Sequence, residues 1–236
     1  MADMMPRPQS LAWMDPGSGH REWLARTTEE VIDPRLLICD PHHHLWKDRF
    51  GPYLVDQLHA DTAAGHNVVS TVYIEAAVEY RDDGPAELQP VGETEFAAAQ
   101  ARHSASTGGA RVAAIVSFAD VTLGERVEPV LAEHASAGDG LFRGVRYQAA
   151  WDPSPEVKPA LTGSQGLLER ADFRAGLSVL PRMGLIFDAW VYHPQIREVT
   201  ELARALPNLT IVLEHLGGPL GIGPYAGCRE RSTAWP

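Results

Sequence analysis

The densest chemistry in the chain is Asp40-Pro41-His42-His43-His44-Leu45-Trp46, directly after the apolar run 36–39. Residues two apart in a strand point to the same side, so His42 and His44 can turn both imidazoles to one point while His43 faces away. Two neutral imidazoles at one point form a clamp for a divalent metal, zinc foremost. The competing reading is a set of strand-end histidines bonded to backbone and water. Their place at the carboxyl end of a strand, where barrel enzymes keep their sites, favours the clamp.

Two more histidines end apolar runs, His193 in Phe187-Asp188-Ala189-Trp190-Val191-Tyr192-His193 and His215 in Val212-Leu213-Glu214-His215-Leu216-Gly217. Taken singly, each reads as a structural hydrogen-bonder; four histidines at the ends of three strands favour a shared site. Glu75 ends another run, and its readings are an ion pair with a neighbouring arginine or a contact to substrate. Arg146, in Phe142-Arg143-Gly144-Val145-Arg146-Tyr147, offers a planar fork of donors suited to a substrate carboxylate or an oxygen-rich ring. Arg143 lies three residues earlier and therefore on the opposite face. The glycine-rich stretch 217–223 is not a dinucleotide loop, since that fingerprint needs a helix directly after the glycines and here Pro224 follows.

Elements that place such residues are visible as short β-branched runs alternating with segments of helical spacing. Strands are predicted at 36–39, 68–75, 111–118, 142–147, 185–191 and 210–214. The clearest helix is 195–206, with Ile196, Val199, Leu202, Ala203 and Leu206 on one face and Arg197, Glu198, Glu201 and Arg204 on the other. Weaker helices are predicted at 93–104, 124–136 and 166–180, and turn formers fill 80–92 and 150–166 after strands two and four. This is an α/β chain of the (β/α)₈ type, incomplete, with about six βα units where a full barrel takes eight. Residues 1–34 are expected to be an N-terminal arm and 35–236 the barrel domain.

Composition narrows the partners. A chain of 236 residues, 44% hydrophobic and 22% charged, is a globular protein with a substantial core. A formal charge of −11 leaves no broad basic surface for nucleic acid and repels anionic membranes, which points to a small-molecule substrate. No stretch approaches the length of a spanning helix. Cys39 and Cys228 sit in no metal or redox spacing, and with no secretory leader at the N-terminus they read as reduced cytoplasmic thiols.

These motifs, with Gly65-His66-Asn67-Val68-Val69, Tyr192-His193-Pro194-Gln195 and Leu213-Glu214-His215-Leu216-Gly217-Gly218-Pro219, resemble the amidohydrolase-related family of metal-dependent barrel hydrolases, in its lactonase-like branch, from about residue 20 to about 227. The resemblance implies His42, His44 and His193 as metal ligands and His215 as the catalytic histidine, with the roles of His193 and His215 open to exchange. It further implies Arg146, Glu75 and Tyr192 as substrate contacts and hydrolysis of a lactone or related cyclic ester or amide. A decarboxylase on the same scaffold, a metal-independent lactonase and a non-catalytic remnant or binding protein are the alternatives. The family's final strand supplies an aspartate, and no residue here carries that role. The resemblance therefore implies a chain that stops two βα units early, whose open sheet edges favour self-association.

Overall fold

A computed structural model describes residues 26–27, 29–48 and 51–227. Most of the expected N-terminal arm, Cys228 and the tail 228–236 lie outside the described residues. The elements are β1 (Leu37–His43), α1 (Val55–Thr62), β2 (Asn67–Ile74), α2 (Val91–Thr107), β3 (Arg111–Ser117), α3 (Glu128–Ala137), β4 (Phe142–Gln148), α4 (Ala171–Leu177), β5 (Ile186–Trp190), α5 (Ile196–Ala205) and β6 (Ile211–Leu213). Among the described residues six strands form one sheet whose order follows the chain from β1 to β6, the α/β alternation of an incomplete barrel-type fold. No helix among the described residues is long and apolar enough to cross a membrane. By contact the chain divides into two compact units, 1–115 with 135–142, and 116–134 with 143–236.

In the first unit, β1 and β2 pair in parallel, Leu37 opposite Asn67 and His43 opposite Tyr73, with register shifts between Ile38 and Cys39 and between Asp40 and His43. Leu45, Val55, Leu58, Tyr73, Phe96, Ala97, Ala101 and Ile115 form the core beneath them. The helix α2 runs longer than the spacing predicts and ends at Gly108 in the left-handed conformation. The sequence reading missed α1 altogether: only Val55 and Leu58 of its eight residues are buried, too few to show a period. His59 of α1 lies against Gly109, where an added Cβ would sit 2.4 Å from the ring, so α1 docks only over glycine.

In the second unit, β4 and β5 pair with Arg146 opposite Asp188, and β5 and β6 pair with Asp188 opposite Val212. Gly144 lets β4 and β5 pack closely, since a Cβ there would meet the Ile186 carbonyl at 2.2 Å. Tyr147, Phe173 and Phe187 stack edge to face at 5.1 and 6.0 Å and anchor α4 to β4 and β5. The predicted helix 166–180 is in fact α4 between two short 3₁₀ turns, 167–169 and 180–183, with the backbone extended at Arg170 (ψ 135°) between the first turn and the helix. In α5, Val199 and Leu202 are buried as expected, while Ala203 is exposed. β6 is shorter than predicted: it ends at Leu213, and Glu214–Gly217 is a 3₁₀ turn with non-helical residues rather than a strand end.

Candidate functional site

In the first unit, β1 pairs with β2 through Asp40, opposite Thr71, and the Asp40 Oδ1 accepts the His42 N–H at 3.1 Å. This side-chain-to-backbone bond falls at the register shift between Asp40 and His43 and re-aims the histidines. His43 turns inward, 7% exposed, with its ring edge-on to Tyr73; burial pushes its pKa down to about 4. His42 and His44 present their rings to each other at 85°, Nε2 to Nε2 at 3.1 Å. The Nδ1 of His44 lies 2.8 Å from the Ile74 carbonyl, an acceptor, so Nδ1 carries the proton and Nε2 the lone pair.

That geometry fits a metal. Two imidazoles bound at about 2.0–2.1 Å to a tetrahedral ion hold their nitrogens about 3.3 Å apart, close to what is seen, and a ligating imidazole usually donates its other N–H to a carbonyl. The same 3.1 Å suits an N–H···N bond with His42 donating, so ligation through its Nε2 would require the neutral ring to carry its proton on Nδ1 instead.

Glu75 directly follows β2, 1% exposed, and its Oε2 accepts the Ala77 N–H at 3.2 Å across a turn in which Ala77 and Glu79 have φ of 55° and 54°. Beside it, Glu93 of α2 accepts from the Tyr73 hydroxyl at 2.7 Å and from the Ala76 N–H at 2.5 Å.

In the second unit, Arg146 is 4% exposed and its Nη1 lies 2.7 Å from Oε1 of Glu214, itself 4% exposed. Arg143 is exposed, on the opposite face as its spacing requires. The Trp190 ring lies 5.4 Å from the Arg146 guanidinium and 6.3 Å from the His215 ring. His215 Nε2 is 3.1 Å from the same Glu214 oxygen. Adjacent residues of an extended chain point to opposite faces; these two meet because the backbone turns left-handed at His215 (φ 50°), Leu216 (56°), Gly217 (74°) and Gly218 (55°). Left-handed non-glycine residues cost about 1–3 kcal/mol each and concentrate at functional sites.

His193 follows β5. Its Nδ1 accepts the Leu220 N–H at 3.3 Å, and its ring is edge-on to Tyr225 at 4.7 Å, whose hydroxyl donates to Asp152 at 2.7 Å. The Tyr192 hydroxyl donates to the Lys158 carbonyl at 2.7 Å, and burial with the nearby Asp152 charge raises its pKa. Buried Gln195 accepts from the Trp151 and Tyr192 N–H groups and donates to the Ala149 carbonyl.

The structure thus places His42 with His44, and Arg146 with His215 through Glu214. Glu75, Tyr192 and His193 each hold neighbours of their own. Sequence reasoning assigned no role to Glu214, Asp188, Glu93 or Gln195. Asp188 did carry a signal, a lone acid inside the apolar run that becomes β5, and it lies in register with Arg146.

The family model of the amidohydrolases matches residues 39–236, and the chain belongs to that family. Its sequence is 27% identical over 197 residues to the uncharacterized protein y4mH of Sinorhizobium fredii, covering 77% of this chain and 63% of that protein. Among solved structures it resembles an amidohydrolase from Burkholderia multivorans with bound zinc, with a TM-score of 0.55, 23% identity and coverage of 78% of this chain and 59% of that one. It also resembles a probable 2-pyrone-4,6-dicarboxylic acid hydrolase from Acinetobacter baumannii with citric acid bound, with a TM-score of 0.52, 12% identity and coverage of 82% and 62%. At these identities the structural likeness speaks to the fold. The chain spans less than two thirds of the length of each of these relatives.

Proposed function

We propose that the chain belongs to a metal-dependent hydrolase that opens a lactone or related cyclic ester or amide of a small carboxylated or polyhydroxylated molecule. The observation that carries this reading is the His42–His44 pair, with Nε2 atoms 3.1 Å apart and His44 held through Nδ1 by the Ile74 carbonyl. His42, His44 and His193 are the proposed ligands of a divalent cation, zinc by preference for such nitrogens. Bound there, the cation supplies Lewis-acid polarisation of the scissile carbonyl and of water.

His215 is proposed to move the proton. Arg146, Glu75 and Tyr192 are proposed to face substrate, and each already holds a protein partner, so binding must share or exchange those hydrogen bonds. Five donors let a guanidinium do so without leaving Glu214. An acidic chain favours a small-molecule substrate over nucleic acid, and its cysteines suit the reducing cytoplasm.

Metal analysis of the purified protein tests the reading. We expect a stoichiometric divalent ion in the wild type and its loss in His42→Ala and His44→Ala. Metal-free wild-type protein, with both variants unchanged in lactone hydrolysis, would overturn it. Release of carbon dioxide instead of ring opening would transfer the site to decarboxylation. A second reading, self-association, is favoured by the exposed Val212, Leu213 and Leu216 in and after β6; size-exclusion chromatography tests it, and a monomer at all concentrations would reject it.

A further inference from the structure

The buried pair Arg146–Glu214 lies outside the ligand set proposed above, and its contact with the half-exposed ring of His215 restricts what that histidine can do. A carboxylate 3% exposed at its side chain needs a counter-charge, and Arg146 supplies one at 2.7 Å. Glu214 is therefore an ionised carboxylate, an acceptor only. The His215 nitrogen 3.1 Å from its Oε1 must be the donor, which makes it Nε2–H and leaves the lone pair of the neutral ring on Nδ1.

Three features of the chain build this contact. Arg146 comes from β4 and reaches past β5, where buried Asp188 occupies the register position between Arg146 and Val212. Trp190, at the end of β5, flanks both the guanidinium and the imidazole. The left-handed backbone at His215 and Leu216 folds the ring back onto the side chain of the residue before it. An extended chain at this point would send Glu214 and His215 to opposite faces, so the strained turn is what joins them.

We infer that Glu214, kept ionised by Arg146, is a positioning residue that fixes His215 as its Nε2–H tautomer and presents Nδ1 as the working nitrogen. In lactone opening, Nδ1 takes a proton from water as the new carbon–oxygen bond forms and returns it to the leaving oxygen as the ring carbon–oxygen bond breaks. Glu214 stabilises the imidazolium between those steps and takes no proton itself. This proton-carrying role rests on the hydrolase reading; the tautomer does not.

Long-range proton–nitrogen NMR on the ¹⁵N-labelled chain tests the inference, at a pH about two units above the ordinary imidazole value of about 6.5. The His215→Gln spectrum assigns the ring. Wild-type protein should show protonated Nε2 and unprotonated Nδ1 as one dominant tautomer. Glu214→Gln, which keeps volume and loses charge, should weaken that preference about tenfold, because charge-assisted hydrogen bonds are roughly twice as strong as neutral ones. It should also lower kcat at least tenfold on any lactone the wild type opens, with KM changed far less. A wild-type ring protonated at Nδ1, or an even mixture, overturns the inference without recourse to any variant. So does a folded Glu214→Gln protein whose tautomer ratio is unchanged. The Nε2–H tautomer in a protein that opens no lactone would reject the hydrolase reading while supporting the positioning of His215.

Discussion

The two histidine-bearing strand ends reach a similar outcome by different means. At the end of β1, strand alternation and a register shift aim His42 and His44, and a backbone carbonyl sets the proton on His44. At the end of β6, four consecutive left-handed residues turn His215 back, and a buried carboxylate sets its proton. The first arrangement is held by main-chain pairing and stores little strain; the second depends on one buried ion pair and an unfavourable turn. Positions of the first kind should tolerate side-chain replacement, and those of the second should not.

The sharpest way to break that comparison is to remove Arg146. Arg146→Leu leaves Glu214 buried without its cation, and the loss should be about 3–5 kcal/mol, read by denaturant unfolding. His44→Ala, at the other strand end, should cost far less in metal-free protein; comparable losses would erase the distinction. Next in size is the metal effect. Zinc at about 100 times its Kd should raise wild-type stability by about 2.7 kcal/mol, and His44→Ala should abolish the gain in a thermal melt.

A smaller and opposite effect is expected in the turn itself. Leu216 is 78% exposed at φ 56°, so Leu216→Gly should relieve strain at little cost in burial and stabilise the fold by up to about 1 kcal/mol. Destabilisation by this change would show that the turn is not strained.

The smallest effect concerns Glu198 of α5, which serves as a control outside both strand ends. Burial, and then the charge of Glu169, raise its carboxyl above the ordinary range. A raised carboxylate binds protons more tightly in the folded state, so its contribution is present at low pH and lost as pH rises through its folded value. Glu198→Gln should stabilise by a few tenths of a kcal/mol at neutral pH, with the difference vanishing in acid. A difference that persists in acid would exclude titration as its cause.

Much of this fold was legible because strand period and helix period are properties of the sequence. The runs predicted at 111–118 and 142–147 lie within a residue of β3 and β4, and the Val199–Leu202 face of α5 is buried as its spacing requires. What escaped was set by tertiary context. Nothing in the eight residues of α1 advertises a helix, since two buried side chains and a glycine fifty residues away hold it. The turn after β6 was read as strand because His215 and Leu216 are ordinary residues in an uncommon conformation, with only Gly217-Gly218 to hint at it. Glu214 was quoted within a motif yet given no role, for its significance lies in Arg146, 68 positions earlier.

Gln195 ties together two stretches of chain that sequence alone would treat as independent loops. Its one amide group holds Ala149 and Trp151 after β4 and Tyr192 after β5, all from a buried position. Whatever ordering a ligand imposes on one of these segments is thereby shared with the other, so their conformational entropy is lost together rather than twice.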